Sequence, residues 1–225
     1  GIFYLLAYSD IFKIKSISIE NNIFLSNDEI IKNLRQFVLS SKFAGQAGFE
    51  NMWSWPSGKI EVTNPAILEI DINKNWFKRN IEVIVFERER FAIWCAFNGK
   101  NCYWIDKNGI LFAPAPLTEG SLVFTVFDLN KNSLVLGSIV EEERFIKNLI
   151  TILENFNKTG FKAKKIVFDS QLKELHVETA EGPSLFFSTR FNEMTNITSI
   201  KDLNLTDAEY IDLRVENKVY YKTRK

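Results

Sequence analysis

The chain has one histidine and two cysteines in 225 residues, and their scarcity excludes several kinds of chemistry. A lone His176 cannot build a multi-histidine metal centre, and Cys95 and Cys102 with one distant histidine do not make a zinc site. The sequence has no glycine-rich phosphate loop and no nucleophile elbow. His176 lies in Glu174-Leu175-His176-Val177-Glu178, where alternation sets it beside the two glutamates on the solvent face of a strand rather than in the place of a catalytic base. Asp169 and Glu178 read as strand-end and solvent-face groups. The reading is of a non-enzymatic chain with no cofactor, no metal and no small-molecule substrate. Neither sign of charge is in excess: Lys+Arg and Asp+Glu number 28 each, without a basic block, so nucleic-acid binding by counterion release has no support. Long hydrophobic runs are missing too. Ile2–Tyr8 is apolar but well short of the roughly 20 residues that span a bilayer. It is either a buried N-terminal segment or the outer end of a transmembrane helix.

Apolar content is ample. With 46% hydrophobic residues and 20 phenylalanines, the length suits one large domain or two small ones. The organising stretch is Ile81–Trp94. Ile81, Val83 and Val85 alternate with Glu82, Ile84 and Phe86, a β-strand with one face fully buried. The charged run Glu87-Arg88-Glu89-Arg90 then interrupts the pattern before Phe91-Ala92-Ile93-Trp94 resumes it, which marks a seam between two domains.

Before the seam, the alternation from Ile11 to Glu20 predicts a first strand. Ser26 and Glu29 form a capping box, with Leu25 placed to staple against Ile30, and Ile30, Ile31, Leu34, Phe37 and Val38 continue at helical spacing. Lys42–Thr63 has no clear period and reads as irregular or short helix, with Phe49, Trp53 and Trp55 as buried anchors of a long loop. Pro65-Ala66-Ile67 suggests one helical turn, and Leu68–Asn73 and Ile81–Phe86 read as strands.

After the seam, Asn98-Gly99 favours a two-residue hairpin loop, which pairs Phe97 with Lys100, Ala96 with Asn101, Cys95 with Cys102 and Trp94 with Tyr103. The two cysteines thus oppose each other as a hydrogen-bonded pair. A disulfide fits such positions and would place the domain in an oxidising compartment; two buried free thiols are the alternative. A second hairpin at Asn108-Gly109 pairs Asp106 with Leu111 and Ile105 with Phe112. Leu122–Phe127 and Leu134–Leu136 read as short strands. Glu141-Glu142-Glu143 begins a helix that runs through Phe156 to Gly160. Lys164–Phe168, Leu172–Thr179 and Ser184–Thr189 follow as strands, Asn192–Leu205 is ambiguous, and Tyr210–Val215 and Val219–Lys222 flank a turn at Glu216-Asn217-Lys218.

Several of these stretches carry a resemblance. Tyr8–Ile19, the asparagine turn and Leu25-Ser26-Asn27-Asp28-Glu29-Ile30 resemble the POTRA domain of the bacterial cell-division family FtsQ/DivIB. Glu87-Arg88-Glu89-Arg90-Phe91-Ala92-Ile93-Trp94 is similar to that family's Glu-Arg-x-Pro-x-Ala-x-Trp, with Arg90 in place of proline. Asp106-Lys107-Asn108-Gly109 resembles its Asp-x-x-Gly hairpin, and Ile211-Asp212-Leu213-Arg214 its C-terminal strand. The resemblance implies an α+β fold: residues 1–10 as the end of a transmembrane helix or a lead-in, 11–88 as a POTRA-like β-α-(α)-β-β domain, 89–222 as a mostly antiparallel β domain with one packed helix, and 223–225 as a basic tail. It implies a single-pass protein of the cell membrane, extracytoplasmic here, that scaffolds the division septum by binding FtsL- and FtsB/DivIC-type bitopic partners. The positions matching the family's partner edge are Arg214, Val215, Val219, Tyr220 and Tyr221, with Arg214 able to meet a partner carboxylate and a tyrosine to act as anchor. A POTRA module that handles substrates in export or envelope assembly is the alternative.

Overall fold

Ile81, Val83 and Val85 are fully buried, as their alternation requires, on a strand that sits inside a four-stranded sheet. The structure, a computed structural model, describes residues 9–97, 99, 101–117, 123–192, 197, 200 and 207–224. The readings of residues 1–8, of the Phe97:Lys100 pair, of Leu122, of Lys225 and of most of Asn192–Leu205 lie outside the described residues. The chain is α+β and divides into two compact units, Gly1–Arg88 and Glu89–Lys225.

The first unit runs β1 (Ser16–Glu20), α1 (Asn27–Val38), α2 (Lys42–Ala47), β2 (Gly58–Ile60), β3 (Ile67–Asn75) and β4 (Asn80–Glu87). The sheet order is β1-β4-β3-β2, with β1 parallel to β4 and the other pairs antiparallel. The capping box forms: Ser26 Oγ accepts from Glu29 N–H, and the Glu29 carboxylate accepts from Ser26 N–H. Ile30, Leu34 and Val38 on one face of α1 share a core with Ile70 and Ile72 of β3 and the β4 residues. The first strand starts later than its alternation suggests, because Ser9 caps a 3-10 turn over Asp10–Phe12. Lys42–Thr63 contains α2, a 3-10 turn at Met52–Ser54 and the edge strand β2. Phe49 and Trp55 are its buried anchors, whereas Trp53 is exposed. Pro65 and Ala66 form a turn, not a helix, because Asn64 accepts from Ala66 N–H through its side chain and from Ile67 N–H through its carbonyl.

Glu87 closes this unit. Its carboxylate accepts from the backbone N–H groups of Ile23, Phe24 and Leu25, which fixes the loop entering α1 against the end of β4. Three charge-assisted bonds on one group outweigh an ordinary surface ion pair. Glu87→Ala should cost about 2 kcal/mol in urea unfolding, and Glu87→Gln should recover about half of that.

The second unit contains β5 (Ala92–Ala96), β6 (Cys102–Ile105), β7 (Leu111–Pro114), β8 (Thr125–Asp128), α3 (Glu143–Asn155), β9 (Ala163–Asp169), β10 (Glu174–Thr179), β11 (Ser184–Ser188), β12 (Ala208–Leu213) and β13 (Tyr220–Thr223). Their sheet order is β13-β12-β11-β10-β9-β8-β5-β6-β7. The pairs β5–β8, β8–β9 and β11–β12 are parallel and the rest antiparallel. Helix α3 covers one face through Ile146, Leu149, Ile150 and Leu153, and helical Ile197 and Ile200 share that core. Strand β5 is buried on both faces, since Ala92 and Trp94 join the main core while Ile93 and Cys95 enter a smaller cluster on the opposite face.

Four expectations change here. Ile105 pairs with Leu111 rather than Phe112, because the Asp106 carboxylate accepts from the N–H groups of Asn108 and Ile110 and Gly109 adopts a positive φ, which enlarges the two-residue loop. Leu134–Leu136 is not a strand: Val135 is exposed, and its carbonyl accepts from Ser138 in a turn at Leu136-Gly137. Of the acidic triplet, Glu143 alone sits in the first turn of α3, while Glu141 pairs with Lys173 at 2.7 Å. The strand read from Leu172 begins at Glu174, after a turn in which Lys173 takes a positive φ.

Cys95 and Cys102 are disulfide-bonded, with their Cα atoms 4.1 Å apart. The pair is non-hydrogen-bonded, contrary to the expected class. Ala96 N–H donates to Asn101, and the Cys102 carbonyl accepts from Ala115 on the far side, so the ladder bonds fall one residue away from the cysteines.

Candidate partner-binding edge

Strand β13 ends the second sheet, and each of its residues is exposed. Its register sets Tyr220 opposite Asp212 and Tyr221 opposite Ile211. Arg224 N–H donates to the Asp207 carbonyl at 3.0 Å. By alternation, Lys222 and Tyr220 also turn their peptide groups toward β12, while Tyr221 and Thr223 turn theirs to the open edge. An extended segment laid along this edge would find those two N–H and two C=O groups in ladder spacing.

The residues named from sequence fall into distinct places. Val215 is exposed in the turn before β13, and Asn217 takes the positive φ that the turn requires. Val219 packs against the main core, so it anchors the strand from below. Tyr220 and Tyr221 are each about half exposed, one on either face of the edge.

Arg214 is not available in the way its sequence position suggests. Its Nε and Nη2 donate to the two oxygens of Asp212 at 2.9 and 2.7 Å, and Nη1 donates to Glu174 at 2.9 Å. The guanidinium lies 5.1 Å over the Phe186 ring. Two carboxylates of its own sheet already neutralise it, so it stiffens the surface rather than waiting for a partner's acid.

Around it runs a ladder that the sequence reading missed. His176, Phe186, Asp212 and Tyr220 lie opposite one another across β10, β11, β12 and β13. The His176 ring stacks on Phe186 at 4.4 Å, and Tyr210 meets Phe186 edge-on at 6.3 Å. Burial pushes the His176 pKa below its ordinary value. Alternation along each strand could have placed these side chains on one face, but not in one row, because β11 and β12 pair in parallel across a long connection.

Comparison with protein-family models and with curated proteins finds no match to this chain. Among the described residues no group of His, Cys, Asp and Glu is arranged to hold a metal, and no helix is long and apolar enough to cross a membrane.

The Arg214 cluster has a pH signature. Hydrogen bonds from Arg214 hold the Asp212 carboxyl below its usual range. Its stabilisation is present above the unfolded aspartate pKa and is lost as pH falls through the lowered folded value. With both partners partly exposed, Arg214→Ala should cost about 1 kcal/mol near pH 7. The difference between the unfolding free energies of variant and parent should shrink as the pH falls below the ordinary aspartate range. A constant difference across that range would show that the ion pair is not the cause.

Proposed function

We propose that this chain is a non-enzymatic extracytoplasmic scaffold of the bacterial division machinery, of the FtsQ/DivIB kind. It takes FtsL- and FtsB/DivIC-type partners as an added strand along β13. The observation that carries the reading is the exposed terminal strand β13 itself, where alternation from the inward Arg224 N–H turns the Tyr221 and Thr223 peptide groups outward beside two exposed tyrosines. Main-chain pairing supplies affinity in this mode, and the flanking side chains supply selectivity. Tyr220 and Tyr221 are the anchors, Val219 holds the strand to the core, Val215 borders the partner's path, and the Arg214 cluster keeps that shoulder rigid. The β1-α1-α2-β2-β3-β4 order, with β1 parallel to β4, supports a POTRA-like first unit. The disulfide supports an oxidising compartment on the outer side of the cell membrane.

The test is amide hydrogen exchange on the chain with and without the extracytoplasmic segments of division proteins from the same organism. Capture of a segment, with new protection at the Tyr221 and Thr223 amides, is the expected result. Capture with protection elsewhere overturns the edge assignment, and no capture overturns the scaffold reading. Selective binding of non-native polypeptides instead would favour the export-module alternative.

A further inference from the structure

The first unit carries an aromatic tip that no part of the scaffold reading uses. At the β3–β4 turn Phe77 is fully exposed, the adjoining Trp76 and the Trp53 it meets are each nearly half exposed, and Phe12 lies partly buried against Trp53. Trp53 meets Trp76 at 4.9 Å and Phe12 at 6.0 Å. Lys74 lies over the Trp76 ring at 5.3 Å and donates to the Met52 carbonyl, while Arg79 donates to the Asp10 carbonyl, so three separate segments are fixed together. A recess of about 520 Å³ opens at the same turn, lined in part by Lys74, Trp76, Phe77 and Lys78.

The surrounding charge is cationic by a margin of two, five Lys/Arg against three carboxylates. Residues 9–15 and 73–80 hold Lys13, Lys15, Lys74, Lys78 and Arg79 against one carboxylate, Asp10, which Lys13 neutralises at 2.6 Å. Glu82 at the recess and Glu50 nearby are the other acids. In a chain of zero net charge this is a local cationic excess around exposed rings.

We propose that this tip docks on an anionic lipid surface. The geometry favours a bilayer over a protein groove. A projecting turn with one fully exposed phenylalanine needs no complementary pocket to bury its ring, tryptophans prefer the headgroup level, and lysines beside them meet lipid phosphates. The proposal goes beyond the scaffold reading and stands or falls without it.

The experiment is co-sedimentation of the 225-residue chain with vesicles of pure phosphatidylcholine or with about one third phosphatidylglycerol, for the parent, Phe77→Ser and Lys78→Glu. Neither side chain is part of the core, so both variants fold, and residues 1–8 are common to all three proteins. Binding to the anionic vesicles, falling about tenfold in each variant and weakening with salt, is the expected result. The exposed Trp53 and Trp76 should also shift their emission to the blue with the parent alone. Absence of binding by the parent, or equal binding by parent and Phe77→Ser, overturns the proposal. A variant effect seen only on self-association in sedimentation velocity also overturns it, and assigns the tip to a second copy of the chain.

Discussion

Tyr221→Pro is expected to reduce partner capture by about a hundredfold while leaving the unfolding midpoint of the second unit almost unchanged. The separation of effects follows from which way one N–H points. Arg224 donates inward, so the peptide groups two and four residues earlier also face β12, and the Tyr221 N–H faces the open edge. Proline there removes an outward donor and sets its ring against any incoming strand, yet breaks no bond to β12. The same substitution at Lys222 would remove an inward donor and should loosen β13. Isothermal titration with a captured division-protein segment, beside thermal unfolding of the free variants, distinguishes the two. Full affinity in Tyr221→Pro would exclude strand addition at this edge.

Gly109→Ala is expected to destabilise the second unit by about 3 kcal/mol, because the added carbon meets both a disfavoured backbone conformation and a buried neighbour. Gly109 has φ of 75°, and a Cβ there would sit 2.6 Å from Ile146 Cγ1 and 2.8 Å from its Cδ1. Ile146 belongs to the buried face of α3 and cannot yield without moving its neighbours. Gly160→Ala provides the control. It has φ of 82° with nothing close to the added carbon, so it carries the backbone cost of about 1 kcal/mol without the clash. Equal losses in the two variants, read by guanidinium unfolding, would show that packing against α3 contributes nothing.

Elements governed by neighbours in sequence were legible before the structure. The Ser26 capping box, the buried face of β4 and the Cys95:Cys102 register each depend on short-range rules, and each is present. Errors arose where a side chain replaced a backbone partner. The Asp106 carboxylate enlarged a hairpin loop that Asn108-Gly109 alone would have made tight, and Asn64 made a turn where proline suggested a helix. At the candidate edge, the tyrosines and Val219 could be located from the final alternating run. The engagement of Arg214 by Glu174 could not, since it joins residues 40 apart in sequence across the intervening strand β11.

The parallel pairing of β1 with β4 also dictates an order of assembly. Ile17 must find Ile81, Asn21 reaches the Val85 carbonyl and Ile23 reaches Glu87, each across 64 residues. On a ribosome, β1 and α1 emerge long before the strand that completes their sheet, so the hydrophobic face of α1 waits without its cover. Residues 81–87 are therefore a release point in synthesis. A chain stalled short of them should remain protease-sensitive and chaperone-bound, while one extended past Glu87 can close its first unit before the second has been made.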